Sequence, residues 1–172
     1  TGQFKPMLLT FNADGSDIRL ALPNEVWGKG GHHPNWHPDG EHILMNLKLD
    51  YDWIKFCSFR YDGSDFTVHS EAIDGSGHPS FHKNGRYIAS DVYPEEPFAL
   101  ASKEVPIRLI DIEKQVETNL CYIFTRGMPN ANVLRIDPHV AWNRDYSQVC
   151  FNAAPEGRRQ IYVADVGELI GG

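Results

Sequence analysis

The chain has 172 residues, of which 41% are hydrophobic and 23% are charged, a composition typical of one globular domain or of one part of a larger domain. Sixteen lysine and arginine residues against 23 aspartate and glutamate residues give a net charge of −7. This charge argues against nucleic-acid and anionic-membrane partners, because both require a basic surface. No apolar run approaches the roughly 18 residues that a membrane-spanning helix requires.

Short apolar runs separated by turn residues follow one another along the chain. The first run, MLLTF at 7–11, precedes the turn sequence DGSD at 14–17, and KFCSF at 55–59 precedes a second DGSD at 62–65. Asp-Gly supplies the positive φ angles that tight hairpin turns require. The surrounding runs are rich in the β-branched and aromatic residues that favour strands. We therefore predict a succession of β-hairpins.

A second motif occurs three times without gaps. HPNWHPDG begins at His33, HPSFHKNG at His78 and HVAWNRDY at His139. Each copy starts with histidine, has an aromatic residue three positions later and ends in a turn pair. A strand-like run follows each copy: HILMNL, RYIASDVY and SQVCFNA. We expect the aromatic residues to fill the space between neighbouring sheets; they are Trp36, Phe81 and Trp142.

A repeat of about 45 residues with four short strands is the signature of a β-propeller blade. No long segment shows the 3.6-residue period of an amphipathic helix. We therefore predict an all-β fold of three to four blades, each of four antiparallel strands, with helix confined to single turns. The separation of His78 and His139 exceeds one repeat, so we place an insertion in 94–105 and 126–132. The predicted blade units are about 1–30, 31–76, 77–134 and 135–172.

Closed propellers usually have at least four blades, and an open row of blades leaves apolar faces uncovered. We therefore expect the remaining blades to come from the same polypeptide or from another chain. The chain has no initiating methionine, which favours a piece of a longer protein, and its first residues do not resemble a signal peptide. Three scattered cysteines are too few for a disulfide framework. Free thiols favour the cytoplasm, with the periplasm as the alternative.

These segments carry a resemblance to a known family. The motif H-P-x-[WF]-x-x-[DN]-G followed by an apolar strand resembles the repeat of TolB-like and WD40-like propellers. Further segments look like the C-terminal half of oligogalacturonate lyases: GHPSF at 77–81 with DVYP at 91–94, RIDPH at 135–139 and EGRRQIYVADV at 156–166. The resemblance covers about residues 30–166 of the chain.

The resemblance implies a seven-bladed propeller with a divalent metal, usually manganese, held by histidines near the central axis. The metal-ligand positions fall on His78 and His139, and the position of a further family histidine falls on Asp137. A carboxylate in place of an imidazole suits manganese. The family's glutamine ligand has no clear counterpart. The base of the family's β-elimination reaction falls on His33.

The repeat supports part of this grouping from the residues alone. Each of the three histidines enters the first strand of a blade, so we expect all three to point into one funnel. Asp137 shares a strand face with His139, because side chains two residues apart point the same way. Arg135 lies on that face as well and suits a bidentate contact with a substrate carboxylate. The alternatives are that the histidines pack the blade edges, and that Asp137 and His139 form a local hydrogen-bonded pair.

Two functions follow as hypotheses. The favoured one is an enzyme, a metal-dependent lyase acting by β-elimination on short uronic-acid oligosaccharides such as pectic oligomers. A cation and Arg135 would neutralise the uronate carboxylate, and His33 would remove the C5 proton. The alternative is a non-catalytic TolB-like propeller that serves as a binding or protein-interaction module, because propellers host many functions.

Overall fold

A computed structural model describes residues 7–125 and 136–171 of the chain. The chain divides into two compact units, Thr1–Gly75 and Ser76–Gly172. The described residues form thirteen β-strands, all paired antiparallel, and two helices of four residues each. This confirms the predicted all-β fold with helix confined to single turns. Neither described helix is long or apolar enough to cross a membrane.

The N-terminal unit contains a small hairpin and a four-stranded sheet. The hairpin pairs β1 (Leu9–Thr10) with β2 (Arg19–Leu20), and α1 (Asn24–Trp27) follows it. The sheet has its strands in sequence order: β3 (Gly31–Trp36), β4 (His42–Leu47), β5 (Lys55–Arg60) and β6 (Thr67–Val68). The apolar core of this unit consists mainly of side chains from β4, β5 and α1, including Met45, Phe59 and Trp27.

The two DGSD sequences form the turns that the sequence predicts. Gly15 and Gly63 have φ angles of 82° and 86°, which lie in the left-handed region that glycine tolerates best. Asp14 and Asp62 accept hydrogen bonds from the backbone N–H and the hydroxyl of the serine two residues later. These bonds lower the pKa of both carboxyl groups. The turns are therefore stabilised by their own local residues.

The C-terminal unit contains a four-stranded and a three-stranded sheet. The first has the order β10-β9-β8-β7, and the second has the order β11-β12-β13, followed by α2 (Gly167–Ile170). The strands of the first are β7 (Ser80–Phe81), β8 (Tyr87–Ser90), β9 (Glu104–Asp111) and β10 (Val116–Phe124). Those of the second are β11 (Ala141–Trp142), β12 (Gln148–Ala153) and β13 (Gln160–Asp165). Apolar side chains from both sheets form one core, including Ile107 and Phe151.

The insertion in the second repeat lies partly where we predicted it. The segment between β8 and β9 has no strand, but β9 begins at Glu104, so the predicted insertion at 94–105 extends into this strand. Glu104 and Val105 pair with Phe124 and Ile123 of β10, and Val105 is fully buried. The other predicted insertion, 126–132, lies outside the described residues.

An ion pair joins the start of β8 to the end of β9. The Nε and Nη2 atoms of Arg86 donate to the two carboxylate oxygens of Asp111 at 2.9 and 2.6 Å. These bonds lower the pKa of Asp111 from 3.8 to about 2, although its burial opposes the shift. Because the pKa is lower in the folded state, the pair stabilises the fold at neutral pH. This contribution is lost as the pH falls from about 4 through about 2.

We expect Asp111→Asn to lower the melting temperature near neutral pH, because it removes the charge that Arg86 binds. The difference from the wild type should shrink as the pH falls towards 2. Thermal unfolding followed by circular dichroism across this range measures it. Glu156→Gln, which alters an exposed carboxylate outside this pair, is the control. A difference that stays constant with pH would contradict the prediction.

Candidate metal site

Three side chains of the C-terminal unit form one cluster. One ligand atom each of His78, Asp137 and His139 lies within 4.8 Å of the others. The rings of the two histidines stack with their centroids 3.6 Å apart, and His139 Nε2 is 3.9 Å from Asp137 Oδ2. The structure thus brings together the three residues that the sequence assigns to a metal, and their role as ligands stays a prediction.

A buried carboxylate lies behind both histidines. Asp91, the residue that directly follows β8, is fully buried. Its Oδ1 accepts a hydrogen bond from the backbone N–H of His78 at 2.5 Å, and its Oδ2 accepts one from the backbone N–H of His139 at 3.0 Å. Oδ2 also lies 2.9 Å from His78 Nδ1. One carboxylate therefore connects two histidines that belong to different repeats of the sequence.

The contacts of Asp91 determine which ring nitrogen of His78 can bind a cation. Burial raises the pKa of Asp91, but the hydrogen bonds and charge of His78 and the backbone N–H of His139 outweigh burial and hold the pKa below its usual value. An ionised Asp91 only accepts hydrogen bonds, so Nδ1 of His78 carries a proton. When the ring is uncharged, Nε2 is therefore the nitrogen without a proton; it lies 3.4 Å from the Tyr93 hydroxyl oxygen.

Gly77 permits the close approach of Asp91 to this segment. Its φ angle is +54°, and a Cβ atom at this position would collide with the backbone carbonyl and the side-chain carboxylate of Asp91. Only glycine fits here without a shift of the backbone. The glycine before His78 is therefore part of the geometry that holds the histidine against Asp91.

Asp91 is not among the site residues that the sequence predicts. A signal for it was present, because Asp91 follows His78 at the same separation as Asn46 follows His33 and Asn152 follows His139. A polar residue thus recurs at one position of an otherwise apolar strand run. Asn46 is fully buried, and Asn152 Nδ2 lies 3.4 Å from the carbonyl oxygen of Pro138, next to the cluster. Of the three repeats, the middle one has a carboxylate at this position.

Of the two remaining predicted site residues, the structure describes one. His33 is in β3 of the N-terminal unit, at a bulge between His32 and Asn35, and has a φ angle of 57°. It is half-buried, with its ring edge-on to His32 at 4.5 Å. Its role as a base and its convergence with the other two histidines stay predictions. Arg135, the predicted substrate-binding residue, lies outside the described residues.

The donor atoms of the cluster fit a divalent cation. Ligand bonds of about 2.0–2.2 Å place two ligand atoms at most about 4.4 Å apart, so the observed 4.8 Å needs an adjustment of less than about 1 Å. Two imidazoles and one carboxylate suit manganese or iron(II) and leave coordination positions open. A carboxylate that accepts the second ring N–H of a metal-binding histidine is a common companion of such sites, and Asp91 occupies this place beside His78.

The cluster is accessible from one side. The side chain of His139 is 57% exposed, that of Asp137 is 22% exposed and that of His78 is 12% exposed. A cation held here would therefore be reached by solvent or by a ligand from the side of His139, whereas Asp91 closes the opposite side. Among the residues that the structure describes, the cluster has three members, whereas a closed structural zinc site usually has four protein ligands.

No protein family matches this sequence, and no curated protein matches it. Solved structures do match. An oligogalacturonate lyase from Vibrio parahaemolyticus has a TM-score of 0.75 and 18% identity over 94% of this chain and 42% of its own. An oligogalacturonate lyase in complex with manganese has a TM-score of 0.70 and 16% identity over 95% and 42%. TolB from Acinetobacter baumannii has a TM-score of 0.66 and 18% identity over 94% and 35%.

These matches show the fold, which is that of β-propeller blades. The chain spans about two fifths of the length of the two lyases and about one third of that of TolB. Propellers host many functions on one fold. The fold is therefore compatible with both functions that the sequence suggests.

We expect Gly77→Ala to destabilise the protein more than Gly157→Ala. Both glycines have a positive φ angle, but a Cβ atom at Gly157 meets nothing within 4 Å. Gly157→Ala should therefore cost only the backbone strain, about 1 kcal/mol, whereas Gly77→Ala adds a collision with Asp91 and should cost at least about 2 kcal/mol. Urea unfolding measures both losses. Equal losses would show that the approach of Asp91 to Gly77 is not a constraint.

Proposed function

We propose that the chain provides the metal site of a lyase that acts by β-elimination on short uronic-acid oligosaccharides. The observation that supports this proposal most directly is the cluster of His78, Asp137 and His139, whose ligand atoms lie within 4.8 Å of one another. The cluster occurs on a fold that is shared with oligogalacturonate lyases, one of which was solved in complex with manganese.

The residues of the cluster have separate tasks in this proposal. His78 would donate Nε2, because its Nδ1 is directed to Asp91, and His139 and Asp137 would supply one ligand atom each. When bound, the cation, for which we favour Mn²⁺, supplies positive charge that withdraws electrons from the uronate carboxylate and makes the C5 proton more acidic. Asp91 holds the backbone of both histidines in place through its two N–H contacts.

The elimination also needs a base and a group that binds the carboxylate. A neutral histidine is a suitable base near neutral pH, and we assign this role to His33, which would remove the C5 proton. The electron pair of the C5–H bond forms the C4–C5 double bond, the C4–O4 bond breaks, and the departing sugar oxygen takes up a proton. Arg135 would hold the substrate carboxylate by two parallel hydrogen bonds.

A non-catalytic binding propeller is the second candidate. It is favoured by two departures from the lyase pattern, namely Asp137 in place of a histidine and the absence of a counterpart for the glutamine ligand. The structural similarity to TolB is compatible with it. Such a protein would bind the cation through the same cluster but would not turn over uronic-acid oligomers.

We expect the protein to bind Mn²⁺ and each of the variants His78→Ala, Asp137→Ala and His139→Ala to bind it at least about tenfold more weakly, because each removes one ligand. Isothermal titration with manganese chloride measures the affinity. The control is His37→Ala, which alters a histidine that contacts Asp39 in the N-terminal unit. Unchanged affinity in all three variants would rule out the cluster as the site.

We expect the Mn²⁺-loaded protein to release an unsaturated product from short pectic oligomers, followed by its ultraviolet absorbance. His33→Ala should abolish this product while leaving the affinity for Mn²⁺ intact, because a base does not hold the metal. Joint loss of metal and activity would make His33 a ligand instead. Tight metal binding without product in the wild type would favour the binding propeller.

A further inference from the structure

The two sheets of the C-terminal unit interlock through a tryptophan. Trp142, the aromatic residue of the third repeat, donates its indole N–H to the backbone carbonyl of Ser80 at 3.0 Å. Its ring lies edge-on to the ring of His82, with centroids 5.1 Å apart. Ser80 directly precedes Phe81, the aromatic residue of the second repeat. The three-stranded sheet thus contacts the four-stranded sheet through the fourth position of its own repeat motif, Trp142, and the third position of the preceding motif, Ser80.

The tryptophan of this contact has a counterpart on the surface of the N-terminal unit. Trp36 occupies the repeat position of Trp142 but is 54% exposed. It lines a cavity of about 280 Å³ together with Leu9, Phe11 and Pro34. Leu9 and Phe11 are also largely exposed. We call these four residues the Trp36 face; they form an apolar surface around an indole ring, which is unusual for a surface that faces only water.

The backbone carbonyl that accepts the indole hydrogen bond has a counterpart on the three-stranded sheet. Strand pairing places Ala141, Cys150 and Val163 side by side on one face, opposite to the face that carries Trp142 into the core. Val163 and Ile161 of β13 are 57% and 74% exposed. We call these four residues the β13 face. Ala141 directly precedes Trp142, so its carbonyl group occupies the repeat position of the Ser80 carbonyl.

We propose that the Trp36 face of one copy of this chain docks on the β13 face of a second copy, head to tail. The indole N–H of Trp36 would donate to the backbone carbonyl of Ala141 in the second copy, as Trp142 donates to Ser80 within the chain. The second copy is the occupant because it carries the matching half of a contact that the chain already makes.

The two faces differ, so the contact is heterologous. A dimer with one such contact leaves the β13 face of one copy and the Trp36 face of the other uncovered. Such contacts either close into a ring or continue as a chain of copies. Burial of Trp36, Phe11, Ile161 and Val163 against each other supplies the apolar area that drives association.

The first test is sedimentation of the chain over a range of concentrations. We expect the wild type to associate, and Trp36→Glu and Val163→Glu each to weaken association at least tenfold, because each buries a charge in the contact. Val116→Glu is the matched control, since Val116 is also an exposed strand valine of the C-terminal unit, at 51%. A wild type that stays monomeric at every concentration overturns the proposal, as does equal weakening by Val116→Glu.

Mixing the two variants tests the head-to-tail arrangement. The Trp36→Glu protein keeps an intact β13 face and the Val163→Glu protein keeps an intact Trp36 face, so an equimolar mixture should form a mixed dimer that neither variant forms alone. A mixture that stays monomeric overturns the heterologous contact. Circular dichroism and thermal melting of each variant confirm that it is folded, and Trp36→Ala and Val163→Ser replace any variant that is not.

Discussion

The candidate site depends on a single buried carboxylate, that of Asp91. A charge without solvent is costly unless hydrogen bonds compensate it, and Asp91 is fully buried. It obtains this compensation from two backbone N–H groups and one imidazole, which belong to His78 and His139. The requirement to satisfy the carboxylate therefore holds the backbone of both histidines against it, and a Cβ atom at position 77 would force the surrounding backbone to shift.

This arrangement shows how a repeated fold acquires one specialised position. Each repeat has a polar residue at the same separation from its first histidine. An asparagine such as Asn152 bonds to backbone carbonyls, because its amide group both donates and accepts. An ionised carboxylate only accepts hydrogen bonds, so the partners of Asp91 are N–H donors. At this repeat position a carboxylate in place of an amide thus binds the imidazole of His78 and the backbone N–H groups of both histidines.

Equivalent positions of the repeat also differ in how far they are exposed to solvent. Trp142 and Trp36 occupy one repeat position, yet the first bonds to the neighbouring sheet and the second is half exposed. A blade has an apolar face on both sides, and each face needs a neighbouring sheet to bury it. The exposed Trp36 and the exposed strand valine Val163 are therefore consequences of the architecture, and they explain why blades are seldom stable in isolation.

The local sequence determined the turns, the strands and the grouping of the ligand candidates. The DGSD turns contain their own hydrogen bonds. The phase of the repeat and the family resemblance together predicted the grouping of His78 with His139, which are distant in sequence, whereas the convergence of His33 with them stays a prediction. The role of Asp91 was decided by tertiary structure, because burial and the direction of neighbouring N–H groups determine what a carboxylate binds. The exposure of Trp36 was decided in the same way: its motif matches that of Trp142, but the Trp142 indole donates to the backbone of the preceding sheet, whereas the Trp36 side chain is 54% exposed beside Leu9 and Phe11.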